Sequence, residues 1–293
     1  MGRADHEAQR VDVRRYFWFR SCVAAEVREA GLGRRWRGAA ERGGWARSAR
    51  GYDILDDAID FGRHVIPLVR EGPPNGTGRV LRYTLDVSPF LSMPPEPGPA
   101  DWDDVAALVG PGGHVSLPGV VSAPPAGWEE VANIPGVQLT DERIAGADDP
   151  GMVRLRPEDR PEMLDLVERT KPGPFLPRTV ELGVYLGIRH GGVLVAMAGE
   201  RLHPPGWTEI SAVCTDPAHR GRGLATRLVL AVAAGIRSRG ETPFLHASAA
   251  NVGAIRLYER LGFRLRRTTG FRTVRVPARD SSTGTPATAR EVA

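Results

Sequence analysis

The pattern of apolar and polar residues predicts its clearest elements in the second half of the chain. Strands are predicted at WTEISAVCT (207–215) and PFLHAS (243–248), and a long helix follows the first of them and ends near Gly240. A short helix is predicted at NVGAIRLYERLGF, where Gly262 provides the C-terminal cap. From residue 152 onward the predicted order is β-α-α-β-β-β-α-β-α-β. This order indicates an α/β fold with a mixed sheet and helices on both of its faces.

The same patterns divide the chain into four parts. Residues 1–50 lack a sustained apolar period and are expected to be a disordered, arginine-rich extension. Residues 51–145 predict an N-terminal α/β domain that carries no chemical motif. A short linker leads to the main domain at 152–277, and the polar residues 278–293 are expected to be a disordered tail.

Composition and charge exclude several classes of protein. With 41% apolar and 25% charged residues over 293 positions the chain is typical of a globular protein, and no apolar run is long enough to span a membrane. The net charge of +4 is concentrated in residues 1–50, where 12 arginines stand against 6 acidic residues, so the remainder carries −2 and is not a basic surface for nucleic acid. The two cysteines, Cys22 and Cys214, allow neither a disulfide framework nor a CxxC metal site. We therefore expect a cytoplasmic protein that binds no metal.

Two glycines separate the predicted strand at 207–215 from the long helix, in the stretch His219-Arg-Gly-Arg-Gly-Leu-Ala225. A GxxxxGK[ST] phosphate loop would need a lysine after these glycines, and a dinucleotide GxGxxG motif would need glycine where Thr226 stands. Gly221 and Gly223 have no Cβ, so an anion can approach the N–H groups at the start of the helix. The alternative is that both glycines only form a tight turn.

These segments together resemble the GNAT superfamily of acyl-CoA-dependent N-acyltransferases. The resemblance rests on the glycine loop, which matches the family's [RQ]xxGx[GA] motif, and on the NxxAxxLYxxLGF block that begins at Asn251. It covers residues 152–277 and is nearest to the glycine N-acyltransferase-like branch. It implies a GNAT fold with an additional N-terminal domain, which in some relatives is a degenerate second copy of the same fold.

The resemblance also implies a site for acetyl-CoA or another short acyl-CoA. The coenzyme diphosphate would be held by the loop residues Arg220, Gly221, Arg222, Gly223, Leu224 and Ala225. Val213 and Thr215 match the end of the strand that pairs with the pantetheine arm. Asn251 and Ala254 match the helix beside the thioester, although Asn251 is also a typical helix N-cap.

Transfer to an amine requires an ammonium to lose a proton, an oxyanion to be stabilised and a thiolate to be protonated. The resemblance makes Tyr258 the general acid, and a backbone N–H near Val213 would serve the oxyanion. Glu209 is the first candidate for the base, provided that apolar neighbours raise its pKa; a solvated or substrate-binding carboxylate is the alternative. His246 is the second candidate, although a packed or solvated histidine is favoured. Cys214 is expected to be a buried structural residue rather than a nucleophile.

The predicted function is transfer of an acetyl or short acyl group to an amine, by direct attack in a ternary complex. Small amines, amino acids and peptide N-termini all stay open as acceptors, and neither nucleic acid nor a membrane is expected as a partner. One alternative is a non-catalytic acyl-CoA-binding module. Another is a nucleic-acid-associated protein that uses the arginine-rich residues 1–50.

Overall fold

The computed structural model describes residues 70–71, 76–94, 96–120, 122–141 and 143–278, so the predicted extension 1–50 and nearly all of the predicted tail lie outside the described residues. The helices within these ranges are α1 (Pro99–Val109), α2 (Arg160–Thr170), α3 (Leu224–Ser238) and α4 (Val252–Leu261). The strands are β1 (Arg70–Glu71), β2 (Leu81–Tyr83), β3 (Leu91–Ser92), β4 (His114–Pro118), β5 (Glu129–Asp141), β6 (Val153–Leu155), β7 (Tyr185–His190), β8 (Val193–Glu200), β9 (Trp207–Thr215), β10 (Thr242–Ser248) and β11 (Phe263–Arg275). None of the four described helices has the length and apolarity needed to cross a membrane.

The described strands form two sheets. A small sheet contains β1, β2 and β3, and an eight-stranded sheet has the order β4-β11-β5-β10-β9-β8-β7-β6. Neighbouring strands of the large sheet run antiparallel, except for β9 and β10, which run parallel. The predicted mixed α/β fold is therefore confirmed.

Helix α3 makes the crossover between the parallel strands β9 and β10. Parallel neighbours cannot be joined by a tight turn, so a connection of this kind is required. Apolar residues recur on one face of α3, and the buried ones are Leu228, Val229, Ala231, Val232, Ala233 and Ile236. This face packs on the sheet together with Ile210 of β9 and Leu245 of β10, which fixes the helix over the parallel pair.

Strand β5 precedes the predicted domain boundary, yet it lies inside the large sheet between β10 and β11. It pairs antiparallel with both neighbours, so that Gln138 stands opposite His246 on one side and Arg267 on the other. β4 adds to the outer edge of β11. The large sheet thus continues across the boundary predicted between 51–145 and 152–277, and the division of the chain into domains stays a prediction.

The predicted linker between those two parts packs against α3. The N–H of Ala147 donates to a carbonyl of α3 at 3.3 Å, and Arg227 pairs with Asp149 at 2.6 Å. Gly146 lies so close to the helix that an added Cβ would stand 2.8 Å from its backbone. These contacts tie the connecting segment to the helix that begins at the glycine loop.

Candidate functional site

The parallel strands β9 and β10 separate at their carboxyl ends. Their backbone pairing ends with Ile210 opposite Leu245. Beyond that pair, β9 continues to Thr215 beside β8, whereas β10 continues to Ser248 beside β5. We call the opening between them the fork. Because the two strands no longer pair there, the facing edge of β9 can pair with an extended ligand.

A bulge in β9 lies at the fork. Ala212 has a φ of +52°, which is uncommon for a residue with a Cβ, and the pairing of β9 with β8 shifts register nearby, between Met197 and Gly199. A bulge bends the strand that carries it. The predicted donor-binding residues Val213 and Thr215 follow the bulge, so they lie on the part of β9 that borders the fork.

The glycine loop leads from the end of β9 to α3. It begins with a turn in which the Asp216 carboxylate accepts a hydrogen bond from the N–H of Ala218 at 2.9 Å. Gly221 and Gly223 have φ values of +75° and +73°, and a Cβ at either position would meet no heavy atom within 4 Å. The turn therefore requires glycine at both positions for its backbone conformation, and it also leaves open space beside them.

The loop and the first turn of α3 present several unpaired donors. The backbone N–H groups of residues 221–226 find no acceptor within the part of the chain that the structure describes, and no side chain caps the helix. Such groups at a helix start carry partial positive charge and bind anions. Arg220, whose Nε donates to the Thr215 carbonyl at 3.3 Å, and Arg222 are both exposed and add positive charge. The loop is therefore suited to a phosphate group.

Helix α4 begins after β10 and carries Tyr258. Asn251 is the N-cap of this helix, because its side chain accepts from the N–H of Ala254 at 3.1 Å. Tyr258 is buried and packs edge to face on Phe263, with ring centroids 6.0 Å apart. Ala254 and Val213 pack against the same apolar cluster as Tyr258. Three predicted site residues from two elements thus belong to one apolar cluster or pack against it.

Burial raises the pKa of Tyr258 to about 12, and the nearby Cys214 acts in the same direction. The phenol therefore keeps its proton at neutral pH. Burial likewise raises the pKa of the Cys214 thiol to about 11. Since a thiol must ionise to act as a nucleophile, this environment favours a structural role for Cys214, which packs with Met163 and Met197.

Glu209 occupies a setting different from the one that its predicted role requires. The carboxylate is fully buried and accepts two hydrogen bonds from Arg201, at 2.7 and 2.8 Å, and a third from His246 Nδ1 at 2.8 Å. Burial alone would raise the pKa of Glu209, but the charge and hydrogen bonds of Arg201, with the hydrogen bond from His246, lower it to about 2. The condition attached to Glu209 as a base, a raised pKa, is not met.

His246, the second candidate for the base, is held at both ring nitrogens. Nδ1 contacts Glu209, and Nε2 lies 3.0 Å from the side-chain nitrogen of Gln138. Sequence reasoning missed Arg201 and Gln138, since no local motif marks either residue. Among the described residues, no group of three or more His, Cys, Asp or Glu side chains is arranged to hold a metal ion.

Comparisons with known proteins give a match to a family model and matches to solved structures. Residues 185–272 match the family model described as FR47-like protein. A crystal structure described as an acetyltransferase of the GNAT family, from Novosphingobium aromaticivorans, is 40% identical in sequence with a TM-score of 0.62. The match covers 68% of this chain and 89% of that one, so it extends over most of the other protein.

Two curated relatives match over shorter segments. A mycothiol acetyltransferase from Thermobispora bispora is 48% identical over 56 residues, which is 19% of either chain. The N-alpha-acetyltransferase RimI from Mycobacterium tuberculosis is 38% identical over 82 residues, which is 27% of this chain and 51% of the relative. The chain thus matches about half or less of the length of these two proteins.

Proposed function

Because the chain belongs to the GNAT family of acetyltransferases, we propose that it transfers an acetyl or other short acyl group from acyl-CoA to an amine. One observation carries the proposal: a strand that has parted from its parallel neighbour leads directly into a loop of unpaired N–H groups. A pantetheine arm can add to the free strand edge while the diphosphate binds the loop. Acetyl is the favoured group because both curated relatives are acetyltransferases by name.

The proposed donor site uses the residues that border the fork and the loop. Backbone groups of Val213 and Thr215 would pair with the pantetheine arm. The N–H groups from Gly221 to Ala225 would hold the diphosphate, with Arg220 and Arg222 adding charge. Asn251 and Ala254 would line the start of α4, where the small side chain of Ala254 leaves room for the thioester.

Tyr258 is the proposed general acid. A phenol whose pKa is raised to about 12 by burial stays protonated, so it can give its proton to the departing sulfur. The backbone N–H of Val213 would stabilise the oxyanion. Since burial raises the pKa of Cys214 to about 11, we assign that thiol no covalent role. The amine therefore attacks the thioester directly, in a ternary complex.

The acceptor amine is proposed to lose its proton to solvent rather than to Glu209. A carboxylate with a pKa lowered to about 2 by Arg201 and His246 is a very weak base for an ammonium group. Small amines, amino acids and peptide N-termini are the proposed classes of acceptor.

The block at 251–263 supports placing the chain near the glycine N-acyltransferase-like branch.

Turnover of acetyl-CoA with a panel of amines from these classes tests the proposal, with free-thiol release as the measurement. We expect release that depends on the amine and saturates with both substrates. A protein that binds acetyl-CoA but releases no thiol with any amine would be a binding module instead.

A matched pair of glycine variants tests the loop. Gly223→Ala and Gly240→Ala lie at opposite ends of α3, both at positive φ (+73° and +78°) and both with open space at the Cβ position. The backbone strain is therefore similar in the two variants. We expect only Gly223→Ala to weaken acetyl-CoA binding, by about tenfold or more, because its methyl group occupies the space beside the loop. Equal affinities in both folded variants would show that the loop is only a turn.

A further inference from the structure

Five polar side chains form a continuous chain of hydrogen bonds across the large sheet. They come from neighbouring strands or from a strand end, and in order they are Arg201, Glu209, His246, Gln138 and Arg266. The three central side chains are almost fully buried. Gln138 belongs to β5, which lies outside the segment 185–272 that matches the family model.

The direction of each hydrogen bond follows from its two ends. Arg266 can only donate, so the oxygen of the Gln138 amide faces it, at 2.6 Å. The amide nitrogen, which also can only donate, then faces His246 Nε2 at 3.0 Å, and that ring nitrogen must accept. The other ring nitrogen, Nδ1, therefore carries the proton and donates it to Glu209, whose carboxylate only accepts.

Only one tautomer of His246 satisfies all of these hydrogen bonds. A proton on Nε2 would point at the amide hydrogens of Gln138. Rotation of the amide would remove that conflict, but it would turn the amide hydrogens towards the guanidinium of Arg266. In this arrangement Nδ1 donates to Glu209 and Nε2 accepts from Gln138, so Gln138 sets the tautomer of His246.

The bond between His246 and Glu209 lies where the fork begins. Glu209 stands opposite Phe244 in the parallel ladder, and the last backbone pair is Ile210 with Leu245. His246 is the next residue of β10, so its bond to Glu209 links the two strands beside the last rung of the ladder. Beyond it the strands part.

We propose that Gln138 sets the tautomer of His246, and that His246 is a positioning residue whose bond to Glu209 keeps β9 and β10 joined at the base of the fork. The width of the fork at this point determines how an extended ligand fits between the strands, so the chain of hydrogen bonds acts on donor binding without touching the reacting atoms. Only this effect on donor binding rests on the proposed function. The tautomer itself does not.

The tautomer is measured directly by long-range ¹H–¹⁵N NMR of the seven histidines in the full-length protein, with His246→Asn to assign the signal. We expect a protonated Nδ1 and an unprotonated Nε2 at neutral pH. In Gln138→Glu a carboxylate faces Nε2 and accepts from it, so both ring nitrogens should be protonated. A wild-type ring with its proton on Nε2, or with protons on both nitrogens, would overturn the proposal without any variant.

The positioning role is tested by the dissociation constant for acetyl-CoA. His246→Phe, which keeps a ring beside Phe244 and Phe271 but removes the bond to Glu209, should raise it about tenfold, because small displacements of a binding element have large effects. The control is Ser116→Ala on β4. It removes a buried hydroxyl that is bonded to Thr273 at 3.2 Å, away from the five hydrogen-bonded side chains. Ser116→Ala should leave both the tautomer and the affinity unchanged. Unchanged affinity in a folded His246→Phe protein would exclude the positioning role. Turnover that fails with every amine, beside the expected tautomer, would count against the proposed function alone.

Discussion

Replacing Glu209 by glutamine is expected to cost about 3–5 kcal/mol of unfolding free energy, because it removes one partner of a buried ion pair. The side chain of Arg201 is only 11% exposed and that of Glu209 only 1%. Glutamine keeps the shape of the side chain but offers Arg201 no negative charge, so the guanidinium stays buried and uncompensated. For a chain of this size the loss corresponds to a fall in Tm of roughly 6–20 °C.

The assay is urea unfolding followed by circular dichroism, with Arg201→Met and the double variant completing a cycle. Both single variants should be strongly destabilised. The double variant buries neither charge, so its loss of unfolding free energy should be much smaller than the sum of the two single losses. Glu168→Gln is the control, because Glu168 is 78% exposed and pairs with Lys171 at the surface, where such a pair contributes about 0–1 kcal/mol. The reasoning is refuted if Glu209→Gln costs no more than this control, or if the two changes at the buried pair simply add.

The buried carboxyl group of Glu209 should also make the stability of the protein depend on pH. Burial would raise the pKa of Glu209, but Arg201 and His246 lower it from its usual 4.5 to about 2. A carboxyl group whose pKa is lower in the folded protein than in the unfolded protein stabilises the fold. This stabilisation is complete at pH values above the unfolded-state pKa, and it is lost as the pH falls through the folded-state pKa. The stability difference between wild type and Glu209→Gln should therefore shrink from pH 4.5 towards pH 2, and a difference that grew over this interval would contradict the assignment.

Four further predictions concern the reaction and the chain. Tyr258→Phe should lower kcat by roughly 10²-fold and leave acetyl-CoA affinity nearly intact; weakened binding with unchanged kcat would make Tyr258 a binding residue. The acidic limb of the rate–pH profile should move with the pKa of each acceptor amine, whereas a limb fixed across the panel would reveal an enzymatic base. Cys214→Ala should lose about 1–2 kcal/mol of stability and keep most activity, and an acyl adduct on the wild-type thiol that disappears in this variant would refute direct attack. A fragment of residues 152–293 should fail to fold alone because β5 is missing from between β10 and β11; a cooperative unfolding transition of that fragment would show the opposite.

The donor-binding side of the site could be predicted because its signals are local. The glycines at 221 and 223, the helix start at Leu224 and the N-cap Asn251 all lie within a few residues of the elements that they define. Two of them also stand at the backbone conformations that the loop requires. For these residues, local sequence and tertiary structure agree.

The chain of hydrogen bonds from Arg201 to Arg266 could not be predicted in this way. Its bonds join residues that are 8, 37, 108 and 128 positions apart, so neither periodicity nor spacing reveals them. Glu209 shows the consequence most clearly. Its neighbours along β9 carry no charge and leave a raised pKa open, whereas Arg201, which follows the end of β8, lowers the pKa. The location of β5 was equally hidden, because an apolar stretch shows that a strand is buried but not which strands will flank it.

The insertion of β5 between two later strands also sets an order of events during synthesis. β5 leaves the ribosome long before its neighbours, since Gln138 and its partner His246 are 108 residues apart. At the usual rates of translation, about 5–20 residues per second, β5 waits roughly 5–20 s before β10 exists, and longer for β11. Throughout that interval both of its edges can pair with another nascent chain. The yield of folded protein in a cell should therefore depend on how fast the second half of the chain is translated and on the chaperones that cover this strand meanwhile.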